Sequence, residues 1–152
     1  MKFKFTVLGK PQPKQRPRFT STGHAYTPRE TVLYERAVQQ AFNAAGGMKF
    51  DGAVRAYVTL FFEIPKSYSK KRRAACEINA DRPMGKNHGD CDNLAKGVLD
   101  SLNGIAYKDD SQIVSLEVHK LWGSPERAEV IICDTWYTLK DGEFVEVENE
   151  TD

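Results

Sequence analysis

The stretch that most limits how this chain can fold is AVRAYVTLFFEIP, residues 53 to 65. β-branched and aromatic side chains dominate it and it stops at a proline, so it reads as a well-buried strand. The segments around it follow other periods. KFKFTVL, residues 2 to 8, alternates lysine with phenylalanine and predicts a strand. TPRETVLYERAVQQAFNAAGG opens with Thr27 as expected N-cap, Pro28 at the first helical position and Glu30 three residues after the cap, and it closes on Gly-Gly. Val32, Leu33, Arg36, Ala37, Gln40 and Ala41 recur at helical spacing there, which predicts a helix over 28 to 45. Residues 66 to 89 are polar with no clear period, a mobile loop or partly helical. A helix is expected from 91 to 103, ended by Asn103-Gly104. QIVSLEVHKLW (112 to 122) and RAEVIICDTWY (127 to 137) read as strands, and the short GSPE turn between them makes them antiparallel.

The order β, α, β, long loop, α, β, β predicts an α+β fold, a mixed β-sheet with flanking helices. A chain of 152 residues holds one such domain, taken here as 1 to 140, with 141 to 152 as an acidic C-terminal tail. No apolar run approaches the ~18 residues of a membrane span, and the lysine-bearing start is too short in apolar residues for a signal peptide. Cys76, Cys91 and Cys133 are odd in number and widely spaced, which suits neither a disulfide framework nor a zinc site, so a cytoplasmic protein is expected.

Net charge is +1, but DGEFVEVENETD carries six acids and no base, which leaves +7 on the other 140 residues. The positive charge concentrates in GKPQPKQRPRF and PKSYSKKRR, both read as exposed loops. Lys10, Lys14, Arg16 and Arg18 in the first, with Lys70, Lys71, Arg72 and Arg73 in the second, are candidate phosphate contacts for DNA. Phe19, His24, Tyr26 and Tyr68 lie among them, as loop anchors or as stacking platforms for bases.

The chemistry centres on HGDCDNLAKGVLDSL, residues 88 to 102. One Asp or Asn suffices to cap a helix, and here three stand within four positions. Leu94, Val98 and Leu102 form a core stripe, while Asp92 and Lys96, four residues apart, share another face. Asp109 and Asp110 follow just before a strand. A helix of about 12 residues rises roughly 18 Å and an extended return of about six residues covers nearly 20 Å, so this pair can come back beside Asp90 and Asp92. Gathered carboxylates raise one another's pKa values unless a cation joins them. An all-oxygen donor set favours Mg²⁺, with Mn²⁺ as substitute. An EF-hand is excluded, because a loop begun at Asp90 puts Ala95 at the glycine position and Ser101 at the glutamate position. Zinc is disfavoured because His88 and Cys91 have no partners at ligand spacing. Asp100, further along the helix, reads as solvated or structural.

The run GDCDNLAKGVLDSLNGIAYKDDSQIV resembles the RusA-type crossover-junction endodeoxyribonucleases, and GKPQPKQRPR after the first strand supports the likeness more loosely. That family comprises Mg²⁺-dependent, homodimeric Holliday junction resolvases, common in phage and prophage. The resemblance implies that Asp90, Asp92 and Asp110 are catalytic carboxylates and metal ligands, that Lys96 is the catalytic lysine, and that Asp109 stands beside them as a further ligand. The expected activity is paired, symmetric phosphodiester cleavage of four-way junctions in DNA recombination and repair, by a homodimer and away from membranes. Other readings are a flap or fork nuclease, a non-catalytic nucleic-acid-binding protein, and a nucleotide-directed phosphohydrolase or nucleotidyltransferase. The longer basic insert before the helix, the cysteine between the two aspartates and the acidic tail depart from the family pattern.

Overall fold

The computed structural model describes residues 1–147. Strand β1 (Lys2–Leu8) is followed by a short hairpin, β2 (Arg18–Phe19) and β3 (Ala25–Tyr26), which starts at the end of the first basic segment. Then come helix α1 (Arg29–Ala44), β4 (Val54–Phe62), α2 (Lys70–Glu77), α3 (Cys91–Leu99), β5 (Ile113–Trp122), β6 (Arg127–Cys133), β7 (Trp136–Lys140) and β8 (Glu143–Val147). β1, β6, β4 and β5 form one sheet in that order. β6 runs antiparallel to both neighbours, whereas β4 and β5 are parallel. The α+β expectation holds.

β4 became an inner strand because its alternate side chains, Val54, Ala56, Val58, Leu60 and Phe62, all bury against the helices. Each such burial contributes ~1.5–3 kcal/mol for the larger side chains. β5 and β6 are opposed in direction, as the four-residue turn implies, yet they do not pair: β4 lies between them. The turn therefore steps over the end of β4, where the Gly123 amide donates to the Phe62 carbonyl at 2.9 Å. A side chain at Gly123 would come within 2.6 Å of the Phe61 ring, so the step needs glycine.

The parallel partnership of β4 and β5 demands a long crossover. Residues 63 to 112 supply it, and α2 and α3 lie within it. The second basic segment is thus partly helical: Lys70, Lys71, Arg72 and Arg73 open α2, and Ser69 caps it by accepting from the Arg72 amide at 3.2 Å.

α1 buries Thr31, Tyr34, Val38 and Phe42, not the expected stripe through Leu33, Arg36 and Gln40, which are exposed. Both rows have helical spacing. The row with aromatic rings won, since Phe42 packs edge-on against Phe3 and Phe5 of β1 at centroid distances of 4.9 and 5.4 Å. Pro28 itself occupies the cap position and no side chain caps the helix, so Thr27 lacks the role expected of it.

The strand expected to reach residue 137 breaks after Cys133, where Asp134 binds the N-terminal ammonium. β7 then pairs with β8 in a separate hairpin. β8 comes from the expected acidic tail, and residues 148–152 of that tail lie outside the described residues. All three cysteines are free. Among the described residues no helix is long and apolar enough to cross a membrane.

Candidate active site

Helix α3 is held by the stripe that its sequence predicts: Leu94, Val98 and Leu102 are fully buried, the last in a tight 3-10 turn over Asp100–Leu102. The opposite face carries Asp92 and Lys96, both exposed. They form no ion pair with each other within 4.0 Å. Asp90 occupies the N-cap position, but its side chain makes no capping bond. Capping therefore does not account for the acids at this end.

The backbone beneath them is fixed by residues that sequence reasoning missed. Gly89 has φ +76°, and a side chain there would press on Leu94 at 3.3 Å. Lys120 of β5 reaches across to donate to the Gly89 carbonyl at 2.8 Å. His88 lies edge-on between Phe62 and Trp122, at centroid distances of 4.8 and 5.3 Å. Burial, with the charges of Lys10 and Lys120, pushes its imidazole pKa below the ordinary value.

The other end of α3 is built differently. The first basic segment crosses it as a roof: the Lys14 amide donates to the Asn93 carbonyl at 3.1 Å, and Lys14 Nζ to Asp100 Oδ2 at 2.6 Å. Gly97 is what permits the crossing, because a Cβ there would sit 2.6 Å from the Gln12 carbonyl oxygen. Residues 103 to 109 then turn back, pinned by the Tyr107 hydroxyl donating to the Leu99 carbonyl at 2.5 Å.

That return brings Asp110 to Asp100. A hydrogen bond between the two carboxyl groups, with partial burial, holds Asp110 above the usual carboxylate pKa. Hydrogen bonds from the Ser111 hydroxyl and from the Ser111 amide, the latter at 3.0 Å, hold the Asp109 carboxyl below the usual value. The negative charges of Asp110, Asp100 and Asp109 add to burial in raising the Tyr107 hydroxyl.

The acidic residues come from α3, its two ends and the returning chain before β5. Asp90 and Asp92 stand at the start of the helix, and Asp100, Asp109 and Asp110 around its end. Eight residues separate Asp92 from Asp100, roughly 12 Å of helix rise. Among the described residues no three carboxylate, histidine or cysteine side chains are drawn together as metal ligands. The donor types nevertheless suit a hard divalent cation, since all are carboxylate oxygens. The Asp100–Asp110 contact, repulsive when both are charged, is relieved by a proton or by such a cation. Asp92, Lys96 and Asp100 recur every four residues, a spacing that could have put Asp100 on the site's face, whereas the sequence alone reads it as solvated or structural.

The expected DNA contacts divide likewise. Lys14 is committed to Asp100. Arg72 pairs with Asp81 at 3.0 Å and lies 3.7 Å over the Tyr68 ring, and Arg73 donates to the Pro65 carbonyl. Arg18 reaches Gln15 at 3.5 Å. Among the described residues, Lys10, Arg16, Lys70 and Lys71 form no ion pair within 4.0 Å.

Comparison with known families decides the identity. A family model described as endodeoxyribonuclease RusA matches residues 9–133, which spans β1's end to the last residue of β6. The chain belongs to the RusA endodeoxyribonuclease family. The uncharacterized protein YqaN of Bacillus subtilis (strain 168) is 36% identical to this chain over 135 residues, covering 85% of this chain and 94% of that protein. The expected reaction class, DNA strand cleavage by a nuclease, follows from the family. The hairpin β7–β8 lies beyond the matched residues.

Proposed function

We propose that this RusA-family protein resolves four-way DNA junctions by paired, symmetric, divalent-metal-dependent cuts. The observation that carries the reading is the start of α3, where Asp90 and Asp92 are exposed and free of capping duty on a backbone locked by Gly89, Lys120 and His88. Asp90, Asp92 and Asp110, with Asp109, are the residues that would hold Mg²⁺ or Mn²⁺. When bound, the cation supplies an activated water and a polarised phosphate.

The chain's own residues do the rest. Water attacks phosphorus in line and the opposite P–O bond breaks. Lys96, one turn from Asp92 on the same face and without a carboxylate partner, stabilises charge on the phosphoryl oxygens or the leaving oxygen. The basic residues position the backbone without reading sequence. A four-way junction has two-fold symmetry and needs two matched nicks, so a C2 homodimer is the economical assembly.

The test is cleavage of a labelled synthetic four-way junction, with linear duplex and single strands as controls, in Mg²⁺ and in EDTA. Paired nicks that need metal and Asp92 are expected. Tight binding with no cut in Mg²⁺ or Mn²⁺ would replace this reading with a binding module, and equal cutting of flaps or forks would move the substrate.

A further inference from the structure

A groove of about 690 Å³ includes Asn87 and His88 in its lining, the residues that lead in sequence to Gly89 and Asp90 at the start of α3. Chain segments far apart in sequence line it: Lys10 after β1, residues 63 to 68 after β4, Arg82 to His88 before α3, and Glu126 before β6. Its cations are Lys10, Lys66, Arg72 and Arg82, and its carboxylates are Glu63 and Glu126. Both carboxylates are already engaged, Glu63 by the Ser124 hydroxyl at 3.2 Å and Glu126 by the Glu63 amide at 3.3 Å. Arg72 is paired with Asp81. Among the described residues, Lys10, Lys66 and Arg82 have no ion pair within 4.0 Å. Arg82 is anchored through Nε to the Asn79 carbonyl at 2.6 Å, which leaves the terminal nitrogens of its guanidinium uncommitted.

The wall is rigid. Tyr68 meets Trp122 edge-on at 6.0 Å, and Trp122 meets His88, so the aromatic stack that fixes the Gly89 backbone also forms the groove's side. Exposed Met84 stands at the rim.

We infer that this groove carries the phosphodiester backbone of the DNA arm next to the cut, with Lys10, Lys66 and Arg82 each neutralising a phosphate. The inference rests on the nuclease reading and adds to it a path for the substrate. Unneutralised cations from three separate segments suit a repeating polyanion better than one small anion. Because Asn87 and His88 line the groove, a polyanion lying in it passes within a few residues of Asp90 and Asp92. Lys66 and Arg82 were not among the sequence candidates, and of the eight that were, only Lys10 and Arg72 line this groove.

The experiment measures junction binding in EDTA over a salt series for the wild-type protein and for a Lys10→Gln/Lys66→Gln/Arg82→Gln variant. Each phosphate contact contributes about 0.9 to the slope of log K against log salt, so the variant's slope should fall by about 2 to 3. A Lys4→Gln/Lys49→Gln/Lys140→Gln variant carries the same charge change away from the groove and should lose less than about one unit. Lys66→Gln alone, whose side chain makes no bond to lose, should lower the slope by about 0.9, which separates the effect from misfolding. Equal losses in the two triple variants would overturn the inference, as would a change in subunit number that makes the groove a protein contact. Wild-type protein that binds without cutting in Mg²⁺ would count against the nuclease reading, while the slopes would still judge the groove.

Discussion

The two ends of helix α3 share a buried stripe and differ in everything above it. At the start, Asp90 and Asp92 are exposed and unbonded while the backbone below them is clamped by Lys120, Gly89 and the His88 stack. At the finish, Asp100 is tied to Lys14 and Asp110, and Gly97 lies hard under the Gln12 carbonyl. One end fixes the backbone and leaves its carboxylates available. The other engages its side chains with one another, so among the described residues Asp90 and Asp92 stand free while Asp100 and Asp110 already share a contact that a proton or a cation relieves.

Changes at the two ends should therefore separate activity from stability. The largest effect is expected from Asp92→Asn: junction cleavage should fall by ~10³-fold or more, with junction binding kept or tightened because a charge repelling phosphate is gone, and with the melting temperature unchanged. Full activity in that protein would remove Asp92 from the chemistry. Lys96→Gln should cost cleavage ~10²-fold, again without loss of stability; a drop in melting temperature instead would make Lys96 a structural residue. At the far end the order reverses. Gly97→Ala has to push the roof segment away, and it should destabilise by about 1–3 kcal/mol in denaturant titration while the residual folded protein still binds DNA. Lys14→Ala breaks a half-exposed ion pair and should cost at most about 1 kcal/mol.

The smallest difference is one of sign with pH. His88 has its folded pKa lowered, so its contribution to stability is present above the ordinary imidazole value and is lost as pH falls through the folded one. Asp110 has its folded pKa raised, so its contribution is present below the ordinary carboxylate value and is lost as pH rises through the folded one. Amide exchange, corrected for intrinsic rates, should show protection around residues 88 and 89 falling on acidification. Protection around residues 100 to 110 should rise when the pH drops into the carboxylate range. Parallel changes at both ends would break the comparison.

Much of this molecule was legible locally. Apolar alternation in β1, the dense strand β4 and the Leu94–Val98–Leu102 stripe each have one period and one solution, so the elements and the acid face of α3 follow from spacing alone. The family resemblance, too, rests on a contiguous run. What depended on distant partners was not legible. In α1 two rows had helical spacing, and only the rings of β1 chose between them. β5 and β6 are a short turn apart, yet β4 lies between them and pairs with both. Lys14 looked like a free cation until the fold set Asp100 within 2.6 Å of it.

By itself, then, the sequence determined the α+β class, the chemistry-bearing face of α3 and the membership of the family, because periodicity and a motif are carried by neighbours along the chain. Only the tertiary structure decided which acids are cross-linked, which cations remain unpaired and where the groove runs. Those outcomes depend on groups tens of residues apart meeting within hydrogen-bond range, and the chain's local spacing does not encode such distances.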